Sequence, residues 1–301
     1  MDQKKLLFLF NPHAGRGMIR LRLADVLDIF VKAGYEVTVY PTQERGDATR
    51  KIPLMAGRFD RIVCCGGDGT LNEVVAGMLQ SEARTPVGYI PAGSTNDFAK
   101  SLGISSELEE AAADAVGGRL FDCDVGEFNG KPFAYIAAFG VFTEVSYETD
   151  QRLKTVLGHA AYLVNTPKSL KDMPSYRMEV EVNGETNYGD FVYGMISNAT
   201  SVAGMKNLTG DTVALDDGLF EVTLVKTPQN PYMLGDILTN LLSSSDSNSP
   251  YIYSCKTDHI EVYCNEEVPW TLDGEFGGDH QNVKIQNLHH AITFVVPEVS
   301  S

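Results

Sequence analysis

Residues 64–78 read CCGGDGTLNEVVAGM, an apolar run, then three glycines around one aspartate, then helix-forming residues. A tight turn needs one or two glycines, whereas Gly66, Gly67 and Gly69 surround Asp68. Backbone N–H groups in such a turn can converge on an anion, helped by the following helix N-terminus. Because Asp68 would repel a bare phosphate, it indicates a bridging Mg²⁺ ion. For this stretch alone, a plain glycine turn with a solvated aspartate explains the residues equally well.

Two further loops favour the phosphate interpretation. NPHAGRG (11–17) and PAGSTNDFAKSLG (91–103) each follow a predicted strand and precede a predicted helix, and Asn96 is placed like a helix cap. Since the carboxyl ends of parallel strands share one edge of a sheet, the three loops are expected to converge. Neither a Walker A loop nor a GxGxxG dinucleotide pattern is present around Asp68. The three loops therefore predict a nucleotide site of another kind.

The order of predicted elements divides the chain into two parts. Up to residue 121, β-rich runs alternate with amphipathic helices, which predicts an N-terminal doubly wound, mainly parallel αβ domain over 1–121. Residues 122–291 contain two Asn-Gly hairpin patterns, at 129–130 and 183–184, and predict an antiparallel β-sandwich domain. Helices interrupt this part near 155–169 and 231–242. The tail at 292–301 is expected to return to the first domain.

Composition excludes several classes of protein. The net charge of −16 disfavours nucleic-acid binding, although residues 1–61 hold eleven Lys/Arg against seven Asp/Glu. The remainder, with thirteen against thirty-three, has a net charge of −20. Five cysteines without CxxC spacing indicate a reducing cytoplasm rather than a disulfide framework. No stretch approaches the roughly 18 apolar residues of a membrane helix.

Together, NPHAGRG, GGDGTLNEV and PAGSTNDFA resemble the catalytic domain of the diacylglycerol kinase family, which includes bacterial soluble lipid kinases and is related to sphingosine and ceramide kinases. GGDGT alone is shared with NAD kinases and, more loosely, 6-phosphofructokinases. The resemblance continues through DVGEFNG (124–130), DDGLFEV (216–222) and TLDGE (271–275). It implies transfer of the γ-phosphate of ATP to a lipid hydroxyl, most simply that of diacylglycerol, with ATP bound in a cleft between the two domains.

The resemblance also assigns roles to residues. Asp68 matches the aspartate that works with catalytic Mg²⁺ and the ATP phosphates, and Glu275 matches the proposed general base. Asp217 matches a structural Mg²⁺ ligand, completed by backbone carbonyls near Ala214 and Leu219. The nucleotide-contacting positions of the family correspond to Asn11, Pro12, His13, Ala14, Gly15, Arg16, Gly17, Thr42, Gly67, Gly69, Thr70, Leu71, Asn72, Glu73 and Ser94.

Other interpretations of these acidic residues stay open. Without the resemblance, Glu275 is better explained as a hairpin-tip carboxylate and Asp217 as a turn residue. As a base, Glu275 is expected to be partly desolvated, because desolvation raises the pKa of a carboxyl group. By the resemblance, Asp97 and Asp124 belong to a carboxylate network that joins the two domains. The pair His289-His290 is expected to have no metal-ligand partner nearby.

We expect a cytoplasmic protein that contacts the membrane transiently to reach its lipid acceptor, with no nucleic-acid partner. By analogy with the family it is expected to form a homodimer. Within 155–170, Asn165 and Pro167 stand where relatives continue an apolar and basic helix, which leaves the acceptor open. The alternatives are a kinase of NAD or a soluble polyol, and a non-catalytic regulator that binds nucleotide or lipid.

Overall fold

The computed structural model describes residues 3–94, 96–141, 173–200, 213–242 and 249–298. The chain divides into two compact units. The first comprises Met1–Val125 with His289–Ser301, and the second comprises Gly126–Leu288. Both units contain strands and helix, so the chain is an α/β protein.

The first unit alternates strands and helices in the predicted order. Its strands are β1 (Lys4–Phe10), β2 (Tyr35–Pro41), β3 (Arg61–Gly66), β4 (Val87–Pro91) and most of β5 (Arg119–Phe128). Its helices are α1 (Met18–Lys32), α2 (Asp47–Met55), α3 (Asp68–Leu79), α4 (Asp97–Ser101) and α5 (Leu108–Gly117). α3 begins at Asp68, which therefore belongs to the first turn of the helix.

A parallel sheet positions the loops of the first unit. β1 lies between β2 and β3, and β3 pairs with β4, all in parallel. The last five residues of β1 are all buried, as expected of a strand covered on both faces. Near the end of the chain, Phe294 and Val295 pair in parallel with Val87 and Gly88 of β4. The loops that follow β1, β3 and β4 consequently emerge at the same edge of the sheet.

In its described residues, the second unit is built from antiparallel strands and one helix. Its elements after β5 are β6 (Lys131–Phe133), β7 (Ile136–Gly140), β8 (Tyr176–Val182), β9 (Glu185–Ser197), β10 (Phe220–Lys226), α6 (Pro231–Leu242), β11 (Ile252–Thr257), β12 (His259–Leu272) and β13 (Glu275–Val296). The strands pair in the order β11-β10-β9-β7-β12-β13, and β8 also pairs with β9 and β12. At its far end β13 enters the first unit.

Both predicted Asn-Gly hairpins are confirmed. Asn129-Gly130 joins β5 to β6, and Asn183-Gly184 joins β8 to β9. All four of these residues have positive φ, between 48° and 80°, which is typical of a type I′ turn. Asp273-Gly274, with φ of 50° and 81°, makes a third such turn between β12 and β13.

The core of the second unit gathers around Trp270, whose ring lies 5.1 Å from that of Phe128 and 4.9 Å from that of Phe139. Phe139 is buried. The last strand, β13, is 22 residues long. The helix predicted near 155–169 lies outside the described residues.

Candidate active site

The three predicted phosphate loops are bonded to one another through their backbones. The N–H group of Asn11 donates to the Cys65 carbonyl at 2.9 Å, and that of Ala92 donates to the Gly66 carbonyl at 2.8 Å. The Asn11 amide also donates to the Thr70 hydroxyl at 3.5 Å. The sequence prediction that these loops converge is thus confirmed for the first unit.

Glycines allow this convergence by removing side chains from the contacts between loops. A Cβ atom on Gly93 would lie 2.7 Å from the Gly67 Cα, and one on Gly15 would lie 2.7 Å from the Ala92 carbonyl oxygen. A Cβ on Gly66 would lie 2.5 Å from the Cβ of Thr70, in its own turn. The glycine-rich turn predicts that another group approaches its backbone closely. In the structure, one such group is the neighbouring loop of the protein itself.

Asp68 is the half-buried carboxylate at the centre of these loops. Backbone N–H groups of Asn96 and Phe98 donate to it, so it ties the start of α3 to the start of α4. Its pKa is nevertheless raised to about 6, first by burial and then by the negative charge of Asp97. Asp97 is itself buried, and Lys100 lies 3.2 Å from it. Two carboxylates are therefore held close together beside a helix N-terminus, an arrangement that favours a cation.

The side chain of Asn72 lies one helical turn after Asp68. Its Oδ1 atom is buried and accepts no hydrogen bond from the described residues. Residues four apart on a helix share one face, so the Asn72 amide oxygen and the Asp68 carboxylate are neighbours on α3. Both offer oxygen ligands of the kind that Mg²⁺ prefers.

Several predicted nucleotide positions already have structural roles. The two carboxylate oxygens of Glu73 accept the backbone N–H groups of Gly46 and Ala48, at 2.7 and 3.2 Å, and so hold the start of α2. The backbone N–H of Thr42 donates to the Phe10 carbonyl at 2.9 Å. Leu71 has no exposed side-chain surface, so only its backbone could reach a ligand.

The rest of the predicted nucleotide positions lie in the same three loops. His13 and Ser94 are exposed, and Asn96 occupies the N-cap position of α4. The Asn96 side chain does not cap that helix; it accepts the backbone N–H of Gly93 at 2.8 Å and so closes its own loop. The short 3₁₀ turn Ala14–Gly17 follows Pro12 and contains positive-φ glycines at Gly15 and Gly17.

In the second unit, the acidic turn contains a structural aspartate that the sequence did not predict. Asp273 is buried and accepts the backbone N–H groups of Ala134, Tyr135 and Ile136 at 2.6, 2.9 and 3.1 Å. Glu275, two residues later, is exposed, so the desolvation expected of a general base is not present in this structure. No local signal in the sequence predicted these bonds, because the donors lie 137–139 positions before Asp273.

The predicted structural Mg²⁺ ligand has a cationic neighbour. The Lys256 ammonium lies 3.1 Å from an oxygen of Asp217 and 3.1 Å from an oxygen of Glu221. Glu221 is buried, and burial raises its pKa to about 7 although Lys256 opposes the shift. The other Asp217 oxygen accepts the backbone N–H of Leu219 at 3.0 Å, and Ala214 lies just before this turn.

Asp124 is placed beside two histidines. Its Oδ1 atom lies 2.9 Å from the His289 Nδ1 atom and accepts the backbone N–H of His290 at 2.8 Å. The prediction that the histidine pair has no metal-ligand partner nearby is therefore wrong. The carboxylate approaches them because β5 and β13 come together there, a pairing between residues far apart in sequence.

Comparison with known proteins supports the family resemblance seen in the sequence motifs. Residues 5–128 match the family model described as the diacylglycerol kinase catalytic domain. A Bacillus subtilis (strain 168) diacylglycerol kinase is 34% identical, with 98% of this chain and 97% of that protein covered. A Staphylococcus carnosus (strain TM300) diacylglycerol kinase is 32% identical, covering 92% of this chain and 90% of that protein. The chain belongs to the diacylglycerol kinase family.

A solved structure supports the same fold. The crystal structure of a diacylglycerol kinase from Bacillus anthracis str. Sterne, 22% identical, has a TM-score of 0.78 with all of both chains covered. At this identity the likeness shows the fold alone. Among the described residues, no helix is both long and apolar enough to cross a membrane.

Proposed function

We propose that this chain is an ATP- and Mg²⁺-dependent lipid kinase that phosphorylates the hydroxyl group of diacylglycerol to give phosphatidic acid. The observation that carries the proposal is the Asp68 carboxylate, held in the first turn of α3 beside the buried Asp97. The acceptor is inferred from relatives named diacylglycerol kinase, which match the chain over nearly its whole length.

The residues around Asp68 fit a Mg²⁺ ion. Mg²⁺ takes hard oxygen ligands and usually keeps one or two carboxylates together with phosphates and water. Asp68 supplies a carboxylate, and Asn72 supplies a buried amide oxygen that accepts no hydrogen bond from the described residues. When bound, the metal would neutralise charge on the phosphate oxygens during transfer.

The three loops suit the ATP phosphates. Backbone N–H groups at the start of α3, which is twelve residues long, present partial positive charge towards an anion. Arg16, in the loop after β1, can bind a phosphate through two parallel hydrogen bonds. These groups would position the γ-phosphate, and positioning with charge stabilisation supplies most of the catalysis in phosphoryl transfer.

For the proton of the acceptor hydroxyl we propose Glu275. Three backbone N–H groups fix the side chain of Asp273, and so fix the turn that carries Glu275. Since Glu275 is exposed, the apolar body of a lipid acceptor would have to desolvate it on binding. A Mg²⁺ ion bound to Asp217 would have to displace the Lys256 ammonium, so we propose no role in the reaction for a Mg²⁺ ion at this position.

We further propose that the two units correspond to the doubly wound αβ domain and the β-sandwich domain of the family. The lipid acceptor would be met at a membrane surface by a cytoplasmic protein. We also propose that the protein forms a homodimer and has no nucleic-acid partner. The net negative charge supports the absence of a nucleic-acid partner.

The test is a transfer assay with γ-labelled ATP and Mg²⁺. Acceptors are diacylglycerol in mixed micelles, other lipids with a free hydroxyl, NAD and a soluble polyol. Asp68→Asn is expected to lower kcat on diacylglycerol by at least roughly 100-fold, because the metal-binding charge is lost. Asp25→Asn, on the exposed face of α1, is the matched control and is expected to retain full activity.

Glu275→Gln is compared with Glu267→Gln, an exposed carboxylate on β12. Loss of kcat in the first variant alone supports the base. Transfer to NAD or a polyol with none to any lipid would overturn the acceptor. Nucleotide binding without turnover on the whole panel would instead favour a regulator.

A further inference from the structure

A second cluster of ligating side chains lies in the first unit, apart from the Asp68 residues. Asp124, His289 and His290 each place one ligand atom within 4.8 Å of the others. Asp124 has no exposed surface, whereas both histidines are exposed. The carboxylate is therefore fixed within the protein, and the imidazoles can reach solvent beside it.

The backbone of His290 brings the two imidazoles together. Successive side chains of a β-strand point to opposite faces, so neighbouring histidines normally diverge. His290 has φ of 49°, a left-handed conformation that is uncommon for residues other than glycine. Its ring stacks on that of His289 at a centroid distance of 3.7 Å. An unusual local conformation thus gathers two nitrogen ligands around one buried carboxylate, and such outliers concentrate at functional sites.

We propose that Asp124, His289 and His290 bind a divalent transition-metal ion of the Zn²⁺ class. Imidazole nitrogens suit Zn²⁺, Ni²⁺ and Cu²⁺, whereas Mg²⁺ prefers oxygen ligands. One carboxylate and two imidazoles are three of the four ligands of a tetrahedral Zn²⁺ site, and solvent completes the fourth. The metal would replace the hydrogen bond between His289 and Asp124, and a small movement of the exposed rings would bring all three ligands to it.

A metal ion at this position would also stabilise the fold. Asp124 lies next to the point where the chain leaves the first unit, and His289 is the first residue after its return. A bound ion would therefore cross-link residue 124 to residues 289–290. Because it would bind only the folded protein, it would raise the Tm, and the increase would grow with the free Zn²⁺ concentration relative to Kd.

The experiment uses the full chain, stripped with chelator and titrated with Zn²⁺ in excess Mg²⁺. Isothermal titration calorimetry gives stoichiometry and Kd, and thermal melting gives the shift in Tm. His290→Asn keeps a residue that tolerates the left-handed backbone but removes the ring, and His289→Gln removes the other ring. Each change is expected to weaken Zn²⁺ binding by roughly tenfold or more and so to reduce the Tm increase at a given Zn²⁺ concentration.

His259→Ala is the matched control. The His259 ring also lies 2.9 Å from a carboxylate, that of Asp258, and is half exposed, but within the described part of the chain it belongs to no group of three ligating side chains. This variant is expected to bind Zn²⁺ like the wild type. The proposal is overturned if the double variant His289→Gln/His290→Asn binds Zn²⁺ with unchanged stoichiometry and Kd, or if Zn²⁺ fails to raise the Tm of the wild type.

Discussion

The acidic turns GGDGT and LDGE hold their aspartates in similar ways, one in each unit. Asp68 accepts backbone N–H groups from the start of α4, and Asp273 accepts three from the residues that lead into β7. Each carboxylate thus fastens its own turn to a distant segment. Backbone N–H groups are donors only, so a carboxylate is the natural acceptor for several of them.

The turns differ in the charges around them. Burial raises the pKa of Asp68 and the charge of Asp97 adds to the effect, so the N–H donors do not fully compensate the charge. Asp273 accepts donors at 2.6–3.1 Å on both of its oxygens. An Asp-Gly pair is thus structural where donors surround the carboxylate, and suited to a cation where a second carboxylate lies beside it.

The largest stability effect is expected at Asp273. In Asp273→Asn, the amide NH₂ group faces backbone donors that the carboxylate oxygen satisfied, and the charge is lost. We expect the free energy of unfolding of the second unit to fall by about 4 kcal/mol, since hydrogen bonds to charged groups contribute about 1.5–3 kcal/mol each. Urea unfolding followed by fluorescence reports this unit, because Trp270 is the single tryptophan.

Asp279→Asn, an exposed carboxylate on β13, controls for the loss of one negative charge and is expected to change little. A loss below about 1 kcal/mol in Asp273→Asn, similar to this control, would show that the three donors contribute little. The hydrogen bonds of Asp273 would then not distinguish its contribution to stability from that of Asp68.

At Asp68 we expect the opposite effect on stability, so that substitution by asparagine stabilises the metal-free protein at high pH. Its folded pKa of about 6 exceeds the ordinary value of 3.8, so the folded state favours the protonated form. The contribution of Asp68 to stability is complete below the ordinary value and is lost as pH rises through about 6. In metal-free buffer at pH 8 (chosen to lie about 2 units above that pKa), Asp68→Asn is expected to be more stable than the wild type by up to about 3 kcal/mol.

The measurement is hydrogen exchange of β3 and α3 peptides as a function of pH, which reports the first unit locally. The difference between Asp68→Asn and the wild type should shrink as pH falls through about 6 and vanish near the ordinary pKa. Asp25→Asn is expected to show no such dependence. A variant less stable than the wild type at high pH would mean that the Asn96 and Phe98 donors outweigh burial.

The two turns also show what the sequence could and could not predict. Local patterns predicted the parallel strands, the Asn-Gly hairpins and the convergence of three loops, because periodicity and turn chemistry depend on neighbouring residues. Asp273 and the Asp124–His289 contact were missed because their partners lie 137–139 and 165 positions away in sequence. The exposure of Glu275 likewise depends on the packing around the turn, which the motif does not contain.

The smallest expected effect on stability concerns the contact between the GGDGT turn and the loop after β4. A Cβ on Gly93 would lie 2.7 Å from the Gly67 Cα, whereas one on Gly67 would lie 3.2 Å from the Gly93 Cα. We therefore expect Gly93→Ala to destabilise the first unit by roughly 2 kcal/mol and Gly67→Ala by less. Gly117→Ala, where no atom lies within 4 Å, is the control. Hydrogen exchange of β3 and β4 checks the order, and equal protection in Gly93→Ala and Gly117→Ala would mean that the two loops can move apart at this contact without cost.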